Sequence, residues 1–372
     1  MLHLTQPYII TLMDQRKIAS LQKNLLSWYR KHARDLPWRR TKDPYKIWVS
    51  EIMLQQTQVD TVIPYYQKWI RRFPTLKSSA RAPLSQVMKH WAGLGYYRRA
   101  RMLHQAAGFV ERECGGRIPE SILALMKLPG IGRYTAGAIA SIAFGQKAPI
   151  LDGNVIRILT RIYAVKKNVS RPATIKKLWA ISEKLVPENA PGDFNQGMME
   201  LGATVCLPDL PACTKCPVTV LCRAHQLGKE TRFPVKKIGE GLQKIRNVAL
   251  VLRDREGKVL LQKQPKEGRW GGLWMFPFWK DKKTMLTQIQ LDHRQLQKLT
   301  VIKHGFTKYA VTLEVYENKK GAGNLSMPAP SSNIRWLNTD RLSEYALPSP
   351  HQKIANHLIR SHNIQTNPQL LP

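Results

Sequence analysis

Leu128-Pro129-Gly130-Ile131-Gly132-Arg133-Tyr134-Thr135-Ala136-Gly137, followed by an apolar run and then Leu151-Asp152-Gly153-Asn154-Val155, is the stretch on which the reading of this chain turns. Pro129 stops whatever helix precedes it. Gly130 and Gly132 lack a Cβ and can take positive φ, which permits a tight hairpin. The helix that follows starts with backbone N–H groups unclaimed by the helix, an arrangement suited to a phosphate. About twenty residues on, Asp152 stands alone as a carboxylate between an apolar run and a glycine. A backbone anchor next to a fixed acid points to a chain that grips a polyanion and does chemistry beside it. The plainer reading is a loop between two helices with Asp152 as a helix N-cap.

The composition favours the first reading. The chain has 372 residues, of which 43% are hydrophobic, with 59 Lys and Arg against 25 Asp and Glu, a net charge of +34. That length suits two or three domains, and the charge predicts a polyanionic partner. Both parts share the excess. Residues 1–225 hold 34 basic and 14 acidic side chains, and residues 226–372 hold 25 and 11. No apolar run approaches the length of a spanning helix, and Asp14 interrupts the apolar N-terminal portion, so neither a membrane nor an export signal is expected. Four of the five cysteines fall at Cys206, Cys213, Cys216 and Cys222, a C-x6-C-x2-C-x5-C pattern. This spacing fits a metal site in a reducing compartment better than a disulfide framework. Such a set holds zinc or an iron–sulfur cluster, and having only one close pair favours the cluster. Cys114 reads as a reduced packing residue.

Along the first 225 residues the pattern is helical, with segments at 17–33, from Asp43-Pro44 through Gln55, 59–73, 83–92, 97–113, 119–127, 133–144, 154–165, 171–186 and 192–205, and no strand. On the second helix Ile47, Trp48, Glu51, Leu54 and Gln55 share one face. Glu51 is the anomaly: either a surface carboxylate paired with Arg39 or Arg40, or a partly buried acid holding a proton near neutral pH. Gly93-Leu94-Gly95-Tyr96-Tyr97, followed by Arg98, Arg99 and Arg101, suits a wedge into stacked bases. Residues 226–241 read as a linker. Beyond it, residues 246–251 and 258–262 flank Asp254-Arg255-Glu256-Gly257 as a hairpin, Gly271–Pro277 form a glycine-aromatic loop, and a helix at 282–297, strands at 299–304 and 308–316 and a helix after Pro350 complete an α+β domain.

Together these segments resemble the helix-hairpin-helix DNA glycosylases, and among them the MutY adenine DNA glycosylases. The resemblance rests on Ser50-Glu51-Ile52-Met53-Leu54-Gln55-Gln56-Thr57-Gln58-Val59, Gly93–Tyr97, the hairpin, Asp152–Val155 and the cysteine loop. It covers nearly the whole chain. It implies an all-α glycosylase domain over residues 1–225 with a 4Fe–4S cluster on the loop 206–222, a linker at 226–241, and a Nudix-like α+β domain over 242–372. The expected activity is removal of adenine mispaired with 8-oxoguanine or guanine in duplex DNA, by a monomer in the bacterial cytoplasm near the nucleoid. Cleaving a base from deoxyribose needs an acid for the leaving base and an anion for the developing sugar cation. Glu51 takes the first role and Asp152 the second, as a counter-charge or a transient covalent partner, with the adenine flipped out to reach them. By resemblance Tyr134 and Asn154 line the site, and Glu200 occupies the position of an acid near the adenine. Gln56, Leu94 and Tyr96 fill the gap or wedge the duplex, Gln55 joins the DNA contacts, and Thr57 lies near the oxidised guanine. The C-terminal domain carries no glutamate-rich Nudix metal box, so nucleoside triphosphate hydrolysis is not expected. It is implied to read 8-oxoguanine through Phe306-Thr307-Lys308, where the family commonly has Phe-Ser-His.

Endonuclease III resembles the chain from the hairpin through the cysteine loop, but carries a lysine where Tyr134 stands. That lysine forms a Schiff base with the sugar and cuts the strand. Tyr134→Lys is therefore expected to be trapped on DNA by borohydride while the wild type is not; equal trapping of the wild type would overturn the monofunctional reading.

Overall fold

In the computed structural model the described residues are 13–236, 241–265, 267–268, 270–289, 292–306, 308–318 and 331–366. They fall into two compact units, divided at Ala80/Arg81, His104/Gln105 and Ile238/Gly239. Residues 81–104, grouped with the helical half in the sequence reading, thus pack with the C-terminal unit. The helices before the linker are α1 Gln15–His32, α2 Pro44–Leu54, α3 Val59–Arg72, α4 Leu76–Ala80, α5 Leu84–Trp91, α6 Arg98–Glu113, α7 Ile122–Leu125, α8 Arg133–Ile142, α9 Gly153–Ile162, α10 Pro172–Leu185, α11 Pro191–Thr204 and α12 Arg223–Gln226. Among the described residues the first strand begins only at Gln243. The segment 119–127 shortens to the four residues of α7, and α4 went unread.

The first unit is built on buried helices. Asp14 caps α1 by accepting the Lys17 N–H at 2.8 Å, and Ile18, Leu21, Leu25 and Tyr29 face inward. Asp43 caps α2 through the Tyr45 N–H at 2.9 Å, with Pro44 preset for the first turn. α2 is not the one-sided helix that its stripe suggested, because Tyr45 and every residue from Ile47 through Met53 is buried. α8 is buried from Thr135 through Ile142, which its small side chains permit. Ala138, Ile142, Ile158, Leu159, Phe194 and Leu201 join Ile18, Leu21 and Leu25 in one apolar core. The hairpin before α8 uses its glycines unequally. Gly130 sits at φ +77°, whereas Gly132 is extended at φ −94° and serves as the N-cap of α8. Only the first needs the left-handed freedom assigned to both.

Arg161 on α9 is 2% exposed, a burial the amphipathic pattern concealed. Its guanidinium donates to Glu230 O at 2.9 Å, Phe233 O at 3.2 Å, Leu207 O at 2.7 Å, Pro208 O at 2.6 Å and Cys206 Sγ at 3.3 Å. One side chain thereby closes both ends of the cysteine segment.

The second unit contains β1 Gln243–Val251, β2 Val259–Lys263, β3 Trp274–Met275, β4 Phe278–Trp279, α13 Lys282–Ile289, β5 Leu296–Phe306, β6 Tyr309–Asn318, β7 Ile334–Leu337 and α14 Ser349–Thr366. One sheet runs β4-β1-β6-β5, with β1 parallel to β6; the other runs β3-β2-β7. Residues 254–257 do turn, with Asp254 accepting from the Glu256 and Lys258 N–H groups. The strands beside the turn nevertheless enter different sheets, joined only by the bridge Arg253↔Val259 among the described residues. The helix read over 282–297 ends at Ile289. Asp292 and Gln295 form a capping box there, and the chain is already strand at Leu296. Residues 93–101 are tied into this unit: Tyr97 Oη donates to Leu347 O at 3.2 Å and accepts from Gly93 N at 3.1 Å, Ser349 Oγ donates to Gly93 O at 3.1 Å, and Arg101 donates to Gly271 O.

Arg161→Leu removes the guanidinium donors; Glu230 O keeps the Phe233 N–H at 3.2 Å, but the remaining carbonyls lose the arginine, at a cost of about 3 kcal/mol or more. The variant is expected to melt several degrees below the wild type in a thermal unfolding scan; an unchanged midpoint would show that the arginine does not hold the segment.

Candidate active site

The C-terminal half of α2, the start of α8, the N-terminus of α9 and the face of α11 surround a cavity of about 690 Å³. Glu51, Tyr134, Asp152, Asn154, Gln55, Gln56, Thr57 and Glu200 all line it. Four separate helices therefore bring these sequence-picked residues to one place. Glu51 is 4% exposed. Tyr134 Oη donates to Glu51 Oε2 at 2.7 Å and lies 3.2 Å from Met199 Sδ. Burial pushes the Glu51 carboxyl up to about 7; the Tyr134 hydrogen bond opposes this, Asp152 adds to it, and Arg39 opposes it. Burial and the neighbouring carboxylates hold Tyr134 well above its ordinary value, so the phenol keeps its proton and remains a donor. Arg39 and Arg40 are not partners of Glu51, since Arg39 bonds Glu200 and Arg40 bonds Asp35.

Asp152 is the N-cap of α9 and also part of the cavity wall, so capping the helix does not remove it from the site. Its Oδ1 accepts the Val155 N–H at 2.7 Å and its Oδ2 accepts Asn154 Nδ2 at 3.1 Å. Burial lifts its carboxyl above the usual range, against the Val155 and Asn154 N–H groups and the Arg157 cation. Arg157 sets the Asn154 amide. Arg157 Nη2 donates to Asn154 Oδ1 at 2.7 Å and to Gly202 O at 2.8 Å, and Nε donates to Cys206 O at 2.7 Å. With Asn154 Oδ1 so occupied, its nitrogen is the end left to face Asp152. A Cβ at Gly202 would stand 2.5 Å from Asn154 Cβ, so α11 can pass this close only with glycine there.

Glu200 shares the cavity wall with Glu51 but sits in an ion cluster. It has no exposed side-chain surface, and it accepts Arg34 N at 3.0 Å, Arg34 Nε at 2.8 Å, Arg34 Nη2 at 2.9 Å and Arg39 Nη2 at 2.8 Å. Burial alone would raise it, but these hydrogen bonds outweigh burial and hold it at about 2. Glu200 is thus a fixed anion in the wall and holds no proton to give at neutral pH. Among the cavity residues that sequence reasoning passed over are Arg34, Trp38, Gln196 and Met199. Gln196 lies one helical turn before Glu200, which was the signal available.

Gln56 takes φ +57°, a strained value for a non-glycine residue, at the turn after α2. Gln55 Nε2 donates to Thr135 Oγ1 at 3.3 Å, and Thr57 N to Leu54 O at 3.2 Å. Leu94 and Tyr96 belong to the second unit. Leu94 is buried there, whereas Tyr96 is 43% exposed at φ +47°. Phe306 ends β5 opposite Tyr309, and Thr307 lies outside the described residues. A Cβ on Gly132 would meet nothing within 4 Å, so the fold itself does not exclude a larger residue there.

Cys206, Cys213, Cys216 and Cys222 line one small void of about 20 Å³ beside Arg161, His225 and Glu230. Burial, followed by the neighbouring charges, pushes Cys213 up to about 11; burial likewise pushes Cys216 up to about 12 and raises Cys222. Three thiols of this set that resist becoming thiolates, gathered with Cys206 around one void, fit a cationic centre that would hold sulfur ligands in that form. Ligand atoms of Cys213, His225 and Glu230 also lie within 4.8 Å of one another.

Comparison with known proteins places this geometry. The profile of the HhH-GPD superfamily of base excision DNA repair proteins matches residues 49–184, and that of the NUDIX domain matches residues 248–357. The chain is 35% identical to the adenine DNA glycosylase of Homo sapiens over 406 residues, covering 92% of this chain and 74% of that protein. It is 34% identical to the adenine DNA glycosylase of Buchnera aphidicola subsp. Baizongia pistaciae over 339 residues, covering 89% of this chain and 95% of that one. Among solved structures, a thermostable thymine-DNA glycosylase superposes on 57% of this chain and 98% of its own with a TM-score of 0.52 at 33% identity. Endonuclease III in a non-covalent DNA complex superposes on 58% of this chain and 99% of its own with a TM-score of 0.50 at 20% identity, which shows a shared fold. An endonuclease III-like helical fold followed by a Nudix domain, and relatives matched over most of their length, establish that the chain belongs to the adenine DNA glycosylases, DNA N-glycosylases of base excision repair.

Proposed function

We propose that the enzyme excises adenine paired with 8-oxoguanine, or with guanine, in double-stranded DNA, acting as a monomer and leaving the strand uncut. The observation that carries this is the single cavity faced by two carboxyls of unequal setting, Glu51 in an apolar wall and Asp152 on a helix N-terminus. Its volume of about 690 Å³ is within the usual range for small-molecule sites. An adenine flipped into it meets Glu51, which passes a proton to a ring nitrogen of the base. The glycosidic bond breaks with its electron pair going to the base. The positive charge left on the deoxyribose faces the Asp152 carboxylate, which the Val155 N–H and the Asn154 amide hold in place. Water adds at the sugar carbon and returns its proton to Glu51. Tyr134 orients Glu51 and offers no amine to capture the sugar. The Gly130–Gly132 hairpin and the α8 N-terminus supply the phosphate anchor, and the open space at the Gly132 α-carbon suits close approach by a strand. Similarity to the family supports reading of the oxidised guanine by the C-terminal unit, with Phe306 and Thr307 in the contacting loop. Cys206, Cys213, Cys216 and Cys222 would hold a 4Fe–4S cluster, which supplies a cross-link for the loop and a one-electron centre when bound.

Glu51→Gln is expected to bind an A:8-oxoguanine duplex yet release adenine at least about a hundredfold more slowly. Wild-type turnover in that variant overturns the acid assignment. Because Glu51 must be protonated to act and its carboxyl sits at about 7, the single-turnover rate should fall as pH rises above about 7 and level off below it. The purified protein should be yellow-brown with broad visible absorption and contain iron and sulfide; a colourless, zinc-loaded protein overturns the cluster.

A further inference from the structure

We propose that Glu200 is a positioning residue for the acid: its charge offsets Arg39, so that Arg39 does not draw the proton from Glu51. The inference rests on Glu51 being the catalytic acid.

Glu200 is buried on α11 and spends both oxygens on Arg34 and Arg39. Arg39 is 12% exposed, donates through Nη1 to Arg34 O at 3.0 Å, and stands 5.4 Å from the centre of the Tyr29 ring. The cluster ties the end of α1, the turn Pro37–Arg39 and α11 together, and all three charged residues share a cavity wall with Glu51. A buried ion cluster costs about as much in desolvation as it returns in attraction, so fold stability alone is a weak reason for it. Its charge has a more direct use. Glu51 is faced from α8 by the Tyr134 hydroxyl, which favours the carboxylate, and from the N-cap of α9 by Asp152, which favours the acid. The turn before α2 faces it with Arg39, which favours the carboxylate. Arg34 after α1, Asp60 on α3 and Glu200 on α11 complete the charged wall, and Arg157 acts on Asp152 from within α9. Removing the Glu200 charge leaves the largely buried Arg39 guanidinium, and the partly exposed Arg34, without a counter-anion in the wall they share with an acid that must stay neutral. A buried cation favours ionisation of a nearby carboxyl. The present arrangement places the counter-anion on the arginines while Tyr134 donates to Glu51.

The test is the pH dependence of single-turnover adenine release from an A:G duplex by the full chain, read from the position of the high-pH limb and not its height. In Glu200→Gln the limb should move down by roughly one pH unit. In Arg39→Gln it should move up. The double variant should return towards the wild type, and Glu200→Asp, which keeps the charge, should leave the limb in place. Titration of the Glu51 carboxyl by carbon-13 NMR in DNA-free protein should follow the same order. A Glu200→Gln limb that coincides with wild type overturns the proposal, whatever happens to the plateau. If that variant does not fold, Arg39→Gln decides: an upward shift supports the proposal and an unmoved limb overturns it. A wild type with no high-pH limb, or Glu51→Gln at full rate, would instead remove the acid assignment and this inference with it.

Discussion

The rest of the structure is arranged around one carboxyl buried in an apolar wall, where burial raises its hold on a proton. Glu51 projects from a helix whose other faces are already committed to Trp48, Val49, Ile52 and Met53, so no rotation of α2 can return it to water. Burial makes its ionised form expensive, and the single phenolic donor from Tyr134 meets one oxygen without neutralising the group. The surrounding helices then serve that condition. α8 must be lined with small residues to bring Tyr134 close, α9 must begin at Asp152, and α11 must carry glycine at 202 to pass Asn154. The same wall contains a second buried acid in the opposite state, because Glu200 is saturated by arginine donors. Two glutamates of equal intrinsic acidity are thus driven apart by their partners, which is how one cavity presents a proton and a fixed charge together.

Much of this was visible in the residues. The helix periodicities placed most of the first unit, because helices such as α1 and α9 bury a stripe and several, among them α1, α2, α9, α10 and α11, start at an identifiable Asp or Pro. Glu51 stood out as a carboxylate in an apolar stripe, and Asp152 as an acid at a helix start. What escaped depended on contacts distant in sequence. Nothing in the local pattern around Glu200 indicates that Arg34 and Arg39 reach it from more than a hundred and fifty residues away. Arg161 looks like a surface residue of an amphipathic helix until the cysteine segment folds over it. In the second unit the 254–257 turn was legible from Asp and Gly, but the partners of its two strands were not: β1 pairs with β6, some sixty residues on. The break at Asp292 was missed because a capping box inside a polar run resembles continued helix.

The cysteine segment and the catalytic wall are neighbours through α9. Arg157 and Arg161, one turn apart, both reach Cys206, one through its carbonyl and the other through its sulfur. Arg157 also fixes Asn154, so the same helix that presents Asp152 to the cavity carries the supports of the loop. Disturbing the loop therefore pulls on the helix whose N-cap, Asp152, lines the cavity.

The footing of Gly93–Tyr97 on Leu347 and Ser349 bears on how such chains can be recombined. The seam between the units does not follow the order of the sequence. A graft that exchanges everything after the linker for the matching part of a relative would set a foreign surface under a native turn, and Tyr97 would lose the carbonyl it was shaped to meet. A workable exchange has to carry residues 81–104 along with the C-terminal part, so the heritable cassette is a pair of fragments rather than a tail.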